Sequence, residues 1–409
     1  MSDLKARLRE YAEVIVNIGL NLQNDQPLVI RCPIEASDFA HLVAEEAYCA
    51  GARDVLIQWQ SETFTKLRYT WTRDEVLQDI PHSLVEQYNE FLEHGAAQLS
   101  LVGQDPNLMS DIPAQKIQGA MSARSRALKT YQDAMMRSDF QWCVAAVSTP
   151  SWAKHLFPDL SDEEATQTLW NEILDICRIE EGKSVKNWND HIENLSQRAT
   201  WLNELDLREL HYTNGLGTDL RIVLPEGHIW CAASEKSREG IEFIANIPTE
   251  EVFTLPHAQK VEGRVCSSMP LPYAGNLIKD MDLSFHEGTV VEAKASEGEA
   301  LLKEILSTDE GASRLGEVAL VPYDSPISRR GLLFFDTLYD ENASCHLALG
   351  AAYPICLSDV KDEDDFHTRG GNESVVHEDF MIGTKDLDIV GTTKDGEQVQ
   401  IFKEGNWAQ

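Results

Sequence analysis

The sequence predicts an α/β N-terminal domain with a largely parallel sheet over residues 1–195. An α+β, mostly antiparallel C-terminal domain follows over 196–409. Three observations predict this. Before about residue 185, short apolar runs alternate with stretches of helical periodicity, the pattern of βαβ units. From about 207 the texture changes to hairpin signals rich in Asn-Gly and Gly. In that second half only 298–307 has a strong helical pattern.

Leu4, Leu8, Tyr11, Ile15 and Ile18 recur at helical spacing, with Ser2 or Asp3 available as the N-cap. Pro27-Leu-Val-Ile-Arg-Cys32 is short and apolar, which predicts a buried strand. Residues 37–50 return to a helical pattern that stops at Gly51. Asp54 to Trp59, Leu99 to Gly103 and Trp142 to Val147 supply three further strands. Ser161-Asp-Glu-Glu164 is a capping box that opens a helix bearing Leu169, Ile173, Leu174 and Ile176. Another helix is expected over 186–205. His211 to Leu224 forms a hairpin turning at Asn214-Gly215 and Gly217, and 288–294 and 387–403 contribute strands. The acidic run Asp362-Glu-Asp-Asp-Phe is most simply a solvated loop.

The chain of 409 residues is 43% hydrophobic, enough for a sizeable core. Its 68 acidic and 35 basic side chains leave a formal charge of -33. That surface repels nucleic-acid phosphates and anionic membranes, so neither is expected as a partner. Eight scattered cysteines without a Cys-x-x-Cys pair point to reduced thiols in a cytoplasmic protein. The N-terminus lacks the apolar run of a signal peptide, and no stretch is apolar enough for a membrane span.

Carboxylates and imidazoles concentrate between 246 and 379. On an extended chain, His377 and Asp379 face one side while Glu378 points away. They can bind one ion or neighbouring ions, or simply mark a polar strand edge. The adjacent Glu250 and Glu251 point opposite ways, so at most one of them binds a given ion; the pair is equally a solvent-facing loop. Glu317 opens an apolar run, where a buried carboxylate needs a metal, an arginine or an exposed edge. His346 sits among small and apolar neighbours, as a ligand or as a hydrogen-bonded core residue. Tyr353 is either core or a phenol that stabilises an oxyanion. Two close divalent ions on such ligands would support metal-assisted hydrolysis. The chain contains no His-Glu-x-x-His helix, no phosphate loop and no Gly-x-Ser-x-Gly elbow.

Five segments together resemble the aminopeptidase T, aminopeptidase S and PepS family of metallo-aminopeptidases. They are Asn-Gly-Leu-Gly-Thr-Asp-Leu at 214–220, Asn-Ile-Pro-Thr-Glu-Glu-Val-Phe-Thr at 246–254 and Leu-Gly-Glu-Val-Ala at 315–319. The others are Tyr-Asp-Glu-Asn-Ala-Ser-Cys-His-Leu-Ala-Leu-Gly at 339–350 and His-Glu-Asp-Phe-Met-Ile-Gly at 377–383. The N-terminal helix, the Pro-Leu-Val-Ile strand and the 152–158 segment are also similar. The resemblance implies that 196–409 is a metal-binding catalytic domain. It implies two divalent ions per subunit, zinc, cobalt, magnesium or manganese, held by Glu251, Glu317, His346, His377 and Asp379 with Glu317 bridging. Tyr353 would assist catalysis and Glu250 would serve as the general base. The implied reaction releases N-terminal residues from short peptides, in a homodimer whose sites face an internal cavity. The rival readings are a dipeptidase or amidase on the same site, and a non-catalytic metal-binding dimer scaffold.

Overall fold

Pro27 opens the first strand of a five-stranded parallel sheet in the computed structural model, which describes residues 2–273 and 275–409. The strands are β1 (Pro27–Pro33), β2 (Asp54–Gln60), β3 (Ala97–Val102), β4 (Trp142–Ala146) and β5 (Asn246–Ile247). Their order is β2-β1-β3-β4-β5, and every pairing is parallel. Four strands fall within two residues of expectation. The fifth was not expected, because two residues are too short for a period-2 signal. Helices α1 (Ser2–Val14), α2 (Ser37–Cys49) and α3 (Asp162–Ile176) pack through aromatic contacts. Tyr11 stacks on Phe39 at 5.2 Å between ring centres, and Phe39 meets Trp170 at 5.3 Å. The capping box at Ser161 and Glu164 is formed in both directions. The Ser2 and Asp3 side chains, expected as caps for α1, lie outside the described residues. Helices at Glu62–Trp71, Asp74–Leu77, His82–Glu93, Ala114–Ala127 and Lys129–Met136 were also not expected.

Contacts within the chain define two compact units. One is Met1–His191 with Ser234–Pro248; the other is Ile192–Ala233 with Thr249–Gln409. Among the described residues the second unit holds a two-stranded antiparallel sheet, Leu271–Tyr273 with Asn276–Ile278, and two large antiparallel sheets. In the larger, eight strands run in the order 289–294, 282–286, 261–266, 219–223, 207–213, 388–393, 398–403 and 406–407. The expected hairpin pairs Leu207–Thr213 with Asp219–Val223. Its turn is shaped by Gly217 at φ +105° and by Asn214 Oδ1, which accepts the amides of Leu216 and Thr218; Gly215 has no positive φ. The acidic run is no loop. Asp362 caps a short helix, Glu363–Thr368, by accepting the Asp365 amide at 2.8 Å. Acidic groups in a first helical turn suit the helix dipole, which is why the run folds this way.

The smaller sheet holds β6 (Val252–Thr254), β7 (Leu315–Leu320), β8 (His346–Gly350) and β9 (His377–Met381), in that order and all antiparallel. Every residue of β7 and β8 is buried. A bulge interrupts the β7–β8 ladder at Gly316, between Leu315 and Glu317. A Cβ at Gly316 would lie 2.2 Å from the Ala351 carbonyl oxygen and 2.3 Å from that of Gly350, so only glycine fits. No described helix is long and apolar enough to cross a membrane.

Candidate metal centre

Strand alternation places Glu317 and Ala319 on one face of β7. His346 and Ala348 lie on the same face of β8, and His377, Asp379 and Met381 on that of β9. The register then builds two rows across the sheet. Glu317 pairs with Ala348 and Ala348 with Asp379; Ala319 pairs with His346 and His346 with Met381. Ala348 therefore stands directly between two carboxylates, and its methyl group leaves the room that both need. Glu251 immediately precedes β6 and reaches the same cluster.

His346 Nε2 lies 3.2 Å from Glu251 Oε2 and 3.6 Å from Glu317 Oε1. His377 Nε2 lies 3.5 Å from Glu317 Oε2 and 3.6 Å from Asp379 Oδ1. Glu317 thus turns one oxygen toward each histidine. Two groups follow, Glu251–Glu317–His346 and Glu317–His377–Asp379, with the ligand atoms of each within 4.8 Å of one another. The other ring nitrogens are anchored on backbone carbonyls. His377 Nδ1 is 2.8 Å from the Ala351 oxygen and His346 Nδ1 is 3.3 Å from that of Ser344. Such outer contacts orient a ligating histidine, leaving Nε2 to face a proton or a cation.

The electrostatics show a cluster that wants positive charge. Burial raises the Glu317 carboxyl, and Glu251 and Asp379 add to this, while His346 opposes it. Burial lowers His346, but Glu251 and Glu317 outweigh it and hold the imidazole well above its ordinary value. His377 is likewise depressed by burial and raised overall by Asp379 and Glu317. Asp379 Oδ1 is buried with no hydrogen-bond partner. Among the described residues no lysine or arginine pairs with Glu251, Glu317 or Asp379. Buried carboxylates without a counter-charge are costly, and a nitrogen and oxygen donor set of this kind fits divalent ions. The residues present therefore fit a metal centre.

Metal uptake should release protons. The raised groups hold protons in the metal-free protein, and a cation must displace them. Titrating chelated protein with zinc, in buffers of different ionisation enthalpy, should reveal net proton release. Affinity should weaken as pH falls toward about 6, because His346 and His377 become harder to deprotonate. Uptake with no proton release would contradict the raised values.

The other expected residues are placed as follows. Tyr353 is partly buried beside the cluster, its ring 5.0 Å from that of His377 and 5.9 Å from that of Phe253. Glu250 belongs to neither ligand group and is buried, and its amide donates to Asn342 Oδ1 at 2.7 Å. Its charge reaches Arg329, which also pairs with Asp324.

Sequence reasoning did not single out Glu341. Burial raises it well above the carboxylate range, and Asp379 and Glu251 push it further, so it belongs to the same acidic cluster. Asn342 was also missed. Fully buried, it donates to the Leu338 carbonyl at 2.9 Å and to Glu341 Oε1 at 3.4 Å. A polar Glu-Asn pair just before an apolar strand that opens on His346 was the available signal.

Residues 4–407 match the model of a family described as thermophilic metalloprotease (M29). The chain belongs to that family. This M29 metalloprotease is 41% identical to aminopeptidase AmpS of Bacillus subtilis over 410 residues, covering all of both chains. It is 40% identical to aminopeptidase T of Thermus aquaticus, again over all of both. A solved structure of wild-type AmpT from Thermus thermophilus superposes with a TM-score of 0.93 at 38% identity, covering 99% of this chain and 100% of that one. A 2,5-dihydroxypyridine dioxygenase from Pseudomonas putida shares the fold at 12% identity and a TM-score of 0.51, over 98% of this chain and 97% of that one. As a member of a metallopeptidase family whose relatives are named aminopeptidases, the M29 protein is a peptide-bond hydrolase.

Proposed function

We propose that this protein is a two-metal aminopeptidase that releases N-terminal residues from short peptides. The observation that supports it most is Glu317, shared between two three-residue ligand groups. In this reading Glu251, Glu317 and His346 hold one divalent ion, and Glu317, His377 and Asp379 hold the second. Zinc, cobalt, magnesium and manganese all accept such donors. When bound, the ions supply Lewis acidity that makes water nucleophilic near neutral pH and polarises the scissile carbonyl.

The chain's own groups do the rest. Tyr353, seated against His377, donates a hydrogen bond to the oxyanion that develops on the carbonyl. Glu250 is the proposed proton carrier from water to the leaving amine. Glu341 rivals it, because burial beside Asp379 and Glu251 raises its carboxyl and so favours its holding a proton. All these residues fall within 196–409, which supports reading that segment as the catalytic domain. A cytoplasmic homodimer acting on short peptides completes the proposal, from resemblance to the family.

The test is a panel of aminoacyl-p-nitroanilides, assayed after chelation and again after zinc, cobalt, manganese or magnesium is restored. Metal-restored release from free-amine substrates, with N-acetylated controls inert, is the expected result. Cleavage of the acetylated controls would favour an amidase. Metal binding without turnover would favour a scaffold.

A further inference from the structure

We propose that Cys231 and Cys356 are a site of reversible disulfide modification by hydroperoxides, and that the bond acts on Tyr353. The second half rests on the catalytic reading above. The two sulfurs are 3.8 Å apart, and both residues are thiols. Cys356 is buried and Cys231 is half-buried, so an oxidant reaches Cys231 first.

The surrounding backbone already holds the pair together. Cys231 and Phe253 exchange backbone hydrogen bonds at 2.8 and 2.9 Å, and the Ile229 amide donates to the Cys356 carbonyl at 2.7 Å. Bond formation brings the sulfurs to about 2.05 Å, a closure of about 1.8 Å. With these segments tied, the motion falls on the two side chains and on the single 3-10 turn Pro354–Cys356. That turn starts directly after Tyr353, and the Cys356 amide donates to the Tyr353 carbonyl at 3.1 Å. Tyr353, Cys231 and Cys356 also share one apolar cluster with Phe253. Closing the disulfide therefore pulls on the turn that seats the phenol ring against His377.

The chemistry balances with one peroxide. The Cys231 thiol gives up its proton and the thiolate attacks one oxygen of the hydroperoxide. The S–O bond forms, the O–O bond breaks, and the departing oxygen takes up that proton and leaves as an alcohol, or as water from hydrogen peroxide, giving the sulfenic acid. The Cys356 sulfur then attacks the Cys231 sulfur, the S–S bond forms, the S–O bond breaks and the hydroxyl leaves as water with the Cys356 thiol proton. Two thiols are oxidised and one hydroperoxide is reduced.

The experiment treats the zinc-loaded protein with hydrogen peroxide and follows intact mass, non-reduced peptide maps and turnover of leucine p-nitroanilide. The expected result is loss of two hydrogens, a peptide linking Cys231 to Cys356, and a fall in kcat of about 10-fold to 100-fold, as for a misplacement near 1 Å. A thiol reductant restores both mass and kcat, and Cys231→Ser shows neither change. Absence of the 231–356 linkage overturns the site. A linkage with unchanged kcat overturns its action on Tyr353, as does equal inactivation of Cys231→Ser. The linkage is read by mass whatever the activity, so failure of the disulfide stays distinct from failure of the aminopeptidase reading.

Discussion

On the proposed two-metal reading, glutamine in place of Glu317 should abolish metal binding at both ligand groups and lower kcat/KM by at least about 1000-fold, as for the loss of a group on which the whole constellation depends. The reason is geometric. One oxygen of Glu317 faces His346 and the other faces His377, so a single change spoils both ligand groups. Asp379→Asn touches only one group, and metal stoichiometry measured after dialysis should separate the two variants.

The stability of Glu317→Gln makes the prediction sharper. In the metal-free protein the Glu317 carboxyl is raised, chiefly by burial. A group raised on folding stabilises the fold below its unfolded pKa, and that contribution is lost as pH rises through the folded value. Above the unfolded value, the buried carboxyl costs the metal-free fold either proton uptake or a desolvated charge, and an amide of the same shape relieves that cost. Metal-free Glu317→Gln should melt no lower than the chelated parent. Added zinc should raise the parent's Tm by mass action but leave the variant unmoved. A variant that melts well below the chelated parent would mean that Glu317 is a structural residue.

What was legible in the sequence traces to short-range geometry. The i and i+2 spacing of His377 and Asp379 put both on one strand face, and they lie together in the sheet. The opposed directions of Glu250 and Glu251 likewise let only Glu251 enter a ligand group. What escaped depends on three-dimensional neighbours. Glu341 joins the cluster through burial and through Asp379 and Glu251, which are distant in sequence. Ala348 matters because antiparallel register sets it between Glu317 and Asp379, and an alanine in an apolar strand gives no sign of that. Helix Glu62–Trp71 buries none of its residues, so it has no core-facing stripe for the sequence to show. The strand at Asn246–Ile247 joins a sheet whose nearest partner lies about a hundred residues earlier, at Val144 and Ala145.

Phenylalanine at Tyr353 should lower kcat by about 100-fold to 1000-fold, the range for loss of one oxyanion donor. KM and metal content should stay close to those of the parent. The substitution suits the question because it removes only the hydroxyl. The ring contacts with His377 and Phe253 depend on the aromatic body, which phenylalanine supplies unchanged. A donor that acts on charge developing in the transition state gives a loss confined to kcat. A phenol that gripped the substrate in its ground state would instead raise KM and leave kcat alone. If both constants held while Tm fell, the hydroxyl would serve the fold, and oxyanion stabilisation would have to come from elsewhere in the cluster. Tyr353→Ala offers the internal contrast. It also removes the ring edge that packs on His377, so it should weaken metal binding in the Glu317–His377–Asp379 group as well as slow turnover.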